Sequence, residues 1–107
     1  MKISIEATEL DALLASAETI SVLDMRKRPA YEKDDVLITG ATWCDPTAID
    51  DWAAAVNGGE TVVCYCVHGH EVSQGASETL RARGLDARYL VGGIDGWRQH
   101  GGTLAAK

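Results

Sequence analysis

A chain of 107 residues with 46% hydrophobic and 24% charged residues has the size and composition of one globular domain around one core, and its charges are too interspersed for a disordered tail. The net charge of −6, with no basic cluster longer than Arg26-Lys27-Arg28, argues against nucleic acid or an anionic membrane as partner, since both need a basic footprint. The start at Met1 lacks the apolar stretch of a signal peptide, and no run approaches the ~18 apolar residues of a membrane span, so a cytoplasmic location is expected.

Along the chain, Thr8-Glu9-Leu10-Asp11 resembles a capping box opening a helix that ends near Ala17. Ile20 to Leu23 reads as a short buried strand closing at Asp24, and the polar stretch from Arg26 to Asp35, with Pro29, as a loop or broken helix. A short apolar piece follows at Val36 to Ile38. After Gly40 the chain turns, and Asp45-Pro46-Thr47 precedes a helical stretch from Ala48 to Val56, stopped by Asn57-Gly58-Gly59. Thr61 to Cys66 is the most strand-like run, β-branched and apolar on both faces, as a central parallel strand covered on each side must be. Ser73 to Arg83 is helical, with Ser73 as its cap and Gly84 as its stop. Ala87 to Leu90 is a strand, and Gly92-Gly93 breaks the chain before a last helix from Asp95 to His100. This βα alternation predicts a three-layer α/β/α fold with a mostly parallel central sheet of about five strands, as a single domain over residues 1–107.

The three cysteines, Cys44, Cys64 and Cys66, cannot all pair within one chain, and a reducing cytosol keeps them as thiols. Cys64, Cys66, His68 and His70 lie close together, but C-x-C-x-H-x-H is not a standard zinc spacing, and Cys64 inside an apolar run is more simply a small core hydrophobe. No metal and no cofactor are expected. Sites in open parallel sheets form at the carboxyl ends of strands, where helix N-termini present free N–H groups, and Cys66 falls at such an end. There the helix dipole and converging loop amides stabilise a thiolate, which makes Cys66 the candidate nucleophile. Val67, His68, Gly69, His70, Glu71 and Val72 form the candidate anion cradle, with Gly69 supplying a backbone conformation closed to other residues. Asp24 and Arg26 are read as supports bracing the loops above the sheet, with substrate contact by Arg26 the alternative. His68 and His70 are read as exposed loop residues with a modest electrostatic part, proton transfer being the alternative. Trp43, Trp52 and Trp97 are read as packing residues and Cys44 as an ordinary thiol.

The segment Val63-Cys64-Tyr65-Cys66-Val67-His68-Gly69-His70-Glu71-Val72-Ser73 resembles the active-site strand and loop of single-domain rhodaneses, which have C-x-x-G followed by a short polar stretch. Val22-Leu23-Asp24-Met25-Arg26 resembles that family's D-x-R strand end, Ile38-Thr39-Gly40-Ala41 its I-x-G-A, and Leu90-Val91-Gly92-Gly93-Ile94-Asp95-Gly96-Trp97 is similar to its glycine-pair and tryptophan motif. Together these cover roughly residues 20 to 100. The resemblance implies a sulfurtransferase in which Cys66 accepts sulfane sulfur from thiosulfate or a similar small donor and passes it to a thiol or cyanide, with a sulfur-relay protein as a further partner. It also implies a loop from Cys66 to Glu71 sized for sulfur; the related phosphatases and arsenate reductases use a loop one residue longer that ends in arginine. The alternative in the same family is a non-turnover module that binds a partner, carries a persulfide or senses oxidants.

Two features depart from the family pattern. Glu71 stands where many members carry arginine, and a carboxylate turned inward there opposes an anionic donor. Glu32 to Val36 lacks the family's G-H-I motif, a change expected to affect a structural loop. The stretch around Tyr65 to Ser73, with Trp43 and Asp45-Pro46 upstream, is also similar to rhodanese-like proteins associated with chromate resistance.

Overall fold

The run Thr61 to Tyr65 has no polar face, and a strand of this kind is stable only when both faces are covered. In the computed structural model, which describes residues 3–16, 19–56 and 60–107, it is the central strand of a five-stranded, wholly parallel sheet. The strands of this sheet are β1 (Ser4–Ile5), β2 (Ile20–Asp24), β4 (Thr42–Trp43), β5 (Thr61–Tyr65) and β6 (Asp86–Leu90), in the spatial order β1-β6-β5-β2-β4. Two-residue alternation sends Val63 and Tyr65 into one core cluster with Val22, Leu90, Ile94 and Trp97, and Val62 and Cys64 into the other with Leu23, Ala76, Leu80 and Ala87. Val62 and Val63 are fully buried, each contributing about 1.5–3 kcal/mol of apolar transfer. Helices α1 (Ala7–Ala15) and α5 (Gly93–His100) cover the first face, and α3 (Ile49–Trp52) and α4 (Glu71–Ala82) the second, so the architecture is the expected three-layer α/β/α. The fifth helix, α2 (Arg28–Lys33), carries Pro29 in its first turn, where the missing N–H costs nothing.

Several boundaries differ from the sequence reading. Helix α1 starts at Ala7 with Glu6 as its N-cap, because Glu9 Oε1 accepts from the Glu6 amide at 3.1 Å and draws the first turn in ahead of Thr8. It closes at Ala15; Ala17, where its end was expected, lies outside the described residues. The stretch expected as one helix from Ala48 to Val56 is instead a chain of tight turns, 3₁₀ at Pro46–Ala48, α at Ile49–Trp52 and 3₁₀ again at Ala53–Ala55. Asp45 fixes both the start, through Thr47 N–H at 2.9 Å, and the body, through the Trp52 indole on its carbonyl at 2.9 Å. The expected Asn57-Gly58-Gly59 stop lies outside the described residues.

A second, two-stranded sheet was not expected. β3 (Val36–Ile38) pairs antiparallel with β7 (Leu104–Ala106), which returns the end of the chain across the molecule. Trp97 Nε1 donates to Thr103 O at 2.9 Å and Tyr65 Oη accepts from Ile38 N–H at 3.2 Å, so this ribbon is tied to the first core cluster. Among the described residues no helix is long and apolar enough to cross a membrane.

Candidate active site

Strand β5 ends at Tyr65, not Cys66 as expected, so Cys66 is the first residue of the loop between β5 and α4. It is 6% exposed and lines a cavity of about 440 Å³ bounded also by Arg26, Lys27, Ala30, Val67 and Val72, with His68, His70 and Glu71 completing the lining. Helix α4 begins at Glu71, two residues earlier than expected, with His70 as N-cap. The first helical bond runs from Gln74 N–H to His70 O at 3.1 Å. The amides of Glu71, Val72 and Ser73 are therefore the orphan donors of the first turn, and they lie at the positive end of the helix dipole next to Cys66. Ser73 accordingly does not cap the helix. It sits in the first turn, fully buried, with its hydroxyl 3.1 Å from Cys66 Sγ, so the group that looked like a cap in the sequence is spent on the cysteine.

Close backbone packing holds the loop. Gly69 has φ +76°, and a Cβ there would lie 2.6 Å from Leu90 O and 2.7 Å from Gly92 N. It is thus buried against the β6–α5 turn and does not line the cavity, whereas the rest of the expected cradle does. Gly93, at φ +59°, passes so near the loop that a Cβ would lie 2.4 Å from Cys66 O and 2.5 Å from Val67 O. The first amides of α5 then close the contact, Ile94 N–H on Cys66 O at 3.0 Å and Asp95 N–H on Val67 O at 3.1 Å. With these carbonyls turned toward α5, the loop's outward face is left to the cavity. Gln74 Nε2 adds a bond to Gly69 O at 3.0 Å.

Asp24 and Arg26 form a buried pair at the end of β2, 0% and 1% exposed. Arg26 Nε donates to Asp24 Oδ1 at 3.0 Å and Nη2 to Oδ2 at 2.7 Å, while Nη1 reaches Asp34 Oδ2 at 2.9 Å and Nη2 the Val36 carbonyl at 3.0 Å. Burial alone would lower the Arg26 pKa, but the hydrogen bond and charge of Asp24, with Tyr65 and Asp34, raise it above the ordinary value, so the group stays cationic. Arg26 lines the cavity while its guanidinium is bonded to the frame, which ties β2 to the start of β3. Asp34, also bonded by Arg98, is held below the usual carboxylate range: burial opposes this, and the Val36 amide and the two arginines outweigh it.

His68 Nδ1 lies 3.0 Å from Asp95 Oδ2 and its ring is 6.2 Å from that of His70, both rings being exposed. Cys64 faces the second core cluster, where burial pushes its thiol up to about 12; Cys44 is also raised by burial, with Asp24 adding to it. Trp97 is buried core, whereas Trp43 stacks on Tyr31 at 4.8 Å between ring centroids and Trp52 lines a separate cavity with Cys44. Among the described residues no group of three His, Cys, Asp or Glu side chains is placed to hold a metal ion. Sequence reasoning missed Lys27, Ala30 and Asp95; the first two reach the cavity from the start of α2 and the third reaches His68 from α5, contacts that only tertiary packing makes.

No curated protein matches this chain. Among solved structures it is similar to a rhodanese-like domain protein from Staphylococcus aureus, at 29% identity and a TM-score of 0.83 over 100% of this chain and 99% of that one. A rhodanese-related protein from Thermoplasma volcanium shares the fold at 23% identity and a TM-score of 0.84, over 98% of this chain and 99% of the other. A protein from Lactobacillus plantarum does so at 23% identity and a TM-score of 0.88, over 98% and 88%. Residues 6–100 match the rhodanese-like domain, and the chain belongs to that family.

Proposed function

We propose that this protein is a sulfurtransferase that moves sulfane sulfur from thiosulfate or a similar small donor to a thiol or cyanide acceptor through a persulfide on Cys66. The observation that carries this reading is the position of Cys66, which lines a cavity just before the first turn of α4 with its Sγ 3.1 Å from the hydroxyl of Ser73 in that turn. In the first step the Cys66 thiolate attacks the outer sulfur of thiosulfate, the S–S bond breaks, and sulfite leaves with the bonding pair. The resulting Cys66 persulfide carries an anionic terminal sulfur, which the first-turn amides stabilise as they stabilise the thiolate. An acceptor then attacks the terminal sulfur, thiocyanate or an acceptor persulfide departs, and the Cys66 thiolate is regenerated.

A second reading, a persulfide carrier without small-donor turnover, draws on Glu71, an acidic residue that lines the same cavity and opposes a dianionic donor. Intact-mass measurement after incubation with thiosulfate, followed by cyanide and assay of thiocyanate, separates the two. A sulfur adduct on the native chain but not on Cys66→Ala, with turnover, supports the enzyme. An adduct from a persulfide-bearing protein alone supports the carrier, and no adduct from any donor refutes both.

A further inference from the structure

The cavity beside Cys66 has about 440 Å³, within the range of sites for small organic ligands and ample for more than one inorganic anion. Its charged lining is uneven in what remains available. Arg26 is bound to Asp24, Asp34 and Val36 O, and His68 to Asp95. Lys27, the N-cap of α2, and Glu71, the first residue of α4, are of opposite charge and line the same cavity. Every ion pair and side-chain hydrogen bond of Arg26 and His68 is made to another residue of the chain, but among the described residues neither the Lys27 ammonium nor the Glu71 carboxylate makes one, with each other or with any neighbour. Two residues of opposite charge from different elements, on one cavity and not paired with each other, with Ala30, Val67 and Val72 as apolar wall, complement a ligand with an anion and a cation on a short carbon skeleton. A thiosulfate dianion satisfies Lys27 alone and meets Glu71 as a like charge.

We infer that the preferred donor is a hydropersulfide of the amino-acid type, with its carboxylate toward Lys27, its ammonium toward Glu71 and its terminal sulfur toward Cys66. This rests on the sulfurtransferase reading and names its substrate class. The Cys66 thiolate attacks the terminal sulfur of R–S–SH, forming the Cys66 Sγ–S bond as the donor's S–S bond breaks. The thiolate R–S⁻ leaves with the bonding pair and takes a proton from solvent, the transferred sulfur keeps its own proton, and no external oxidant or reductant is consumed.

The test compares rates of Cys66 persulfide formation, followed by intact mass, with three donors: cysteine persulfide, its des-amino analogue 3-mercaptopropionate persulfide, and thiosulfate. The native chain should favour cysteine persulfide over the des-amino analogue by about fivefold, the scale of one partly exposed ion pair. Glu71→Gln should erase that preference and speed thiosulfate by a similar factor, whereas Lys27→Met should slow all three carboxylate or anionic donors. Equal rates for the two persulfides in the native chain, or a preference that survives Glu71→Gln, overturns the inference while leaving the sulfurtransferase reading in place. If Cys66 takes sulfur from none of the donors, the underlying reading fails and the inference with it.

Discussion

Replacing Arg26 by methionine separates a structural from a substrate-binding part for this residue. Methionine keeps much of the volume of the side chain but removes the donors that reach Asp24 at 2.7 to 3.1 Å, Asp34 at 2.9 Å and Val36 O at 3.0 Å. Asp34 retains Arg98, and Asp24 retains the Arg26 backbone amide at 3.0 Å, but the fully buried Asp24 carboxylate loses its counter-charge. Removing one partner of a buried pair costs about 3–5 kcal/mol, a large share of the ~5–15 kcal/mol that holds a domain together. For a chain of this size that is a fall in Tm on the order of 20 °C. The assay is urea unfolding followed by tryptophan fluorescence, alongside persulfide formation on Cys66 at 10 °C, where the variant remains folded. Asp24→Asn added to Arg26→Met removes the stranded charge and should recover at least about 1 kcal/mol. An Arg26→Met protein within about 1 kcal/mol of the native stability, yet unable to take sulfur, would refute this reasoning and place the guanidinium on the donor.

Ser73→Ala removes the hydroxyl 3.1 Å from Cys66 Sγ, a loss of about 1 kcal/mol that should slow persulfide formation about fivefold; an unchanged rate would mean the hydroxyl only packs. Gly93→Ala drives a Cβ to within 2.4 Å of Cys66 O and should cut persulfide formation more than about tenfold, whereas Gly101→Ala, also at positive φ but with nothing within 4 Å, should cost only about 1–2 kcal/mol of stability; equal effects on activity would show that the close approach does not set the loop. Burial raises the Cys64 thiol from 9.0 to about 12, so the folded state holds that proton more tightly than the unfolded chain. Its contribution to stability is complete below pH 9 and is lost as pH rises from 9 to 12, at about 1.4 kcal/mol per pH unit. Cys64→Ser should flatten the alkaline limb of the unfolding profile and leave neutral pH behaviour otherwise comparable, and an unchanged limb would refute the assignment.

The layers of the fold were legible because β5 declares itself: Val62 to Tyr65 can be apolar on both faces only inside a covered parallel sheet. The edge strands β1 and β4 left no signal, since two residues carry no period, and their place in the sheet comes from pairing to Tyr89–Leu90 and Leu23–Asp24. The apolar piece Val36 to Ile38 was visible, but its partner Leu104–Ala106 lies more than sixty residues away, and nothing local in either segment specifies an antiparallel ribbon. The helix starts expected at Thr8 and Ser73 failed for one shared reason. Thr8 and Ser73 are the residue types that cap helices, yet the structure places both inside the first turn, because Glu9 and the Cys66 sulfur compete for the local hydrogen bonds.

The candidate site divides along the same line between local and long-range information. Cys66 through Val72 are contiguous, so a strand end, a glycine and a polar run suffice to mark them as one loop. What gives that loop its shape comes from elsewhere in the chain: Gly93 and the amides of Ile94 and Asp95 hold the Cys66 and Val67 carbonyls from behind, and Asp95 takes His68. The charge of the cavity is likewise set from α2, where Lys27 stands beside an Arg26 whose guanidinium is spent on the frame. A sequence reading that stops at the loop therefore finds Glu71 as an uncompensated carboxylate. The folded chain brings Lys27 to the lining of the same cavity, and the question of whether an anionic donor is admitted becomes one of how Lys27 and Glu71 share it.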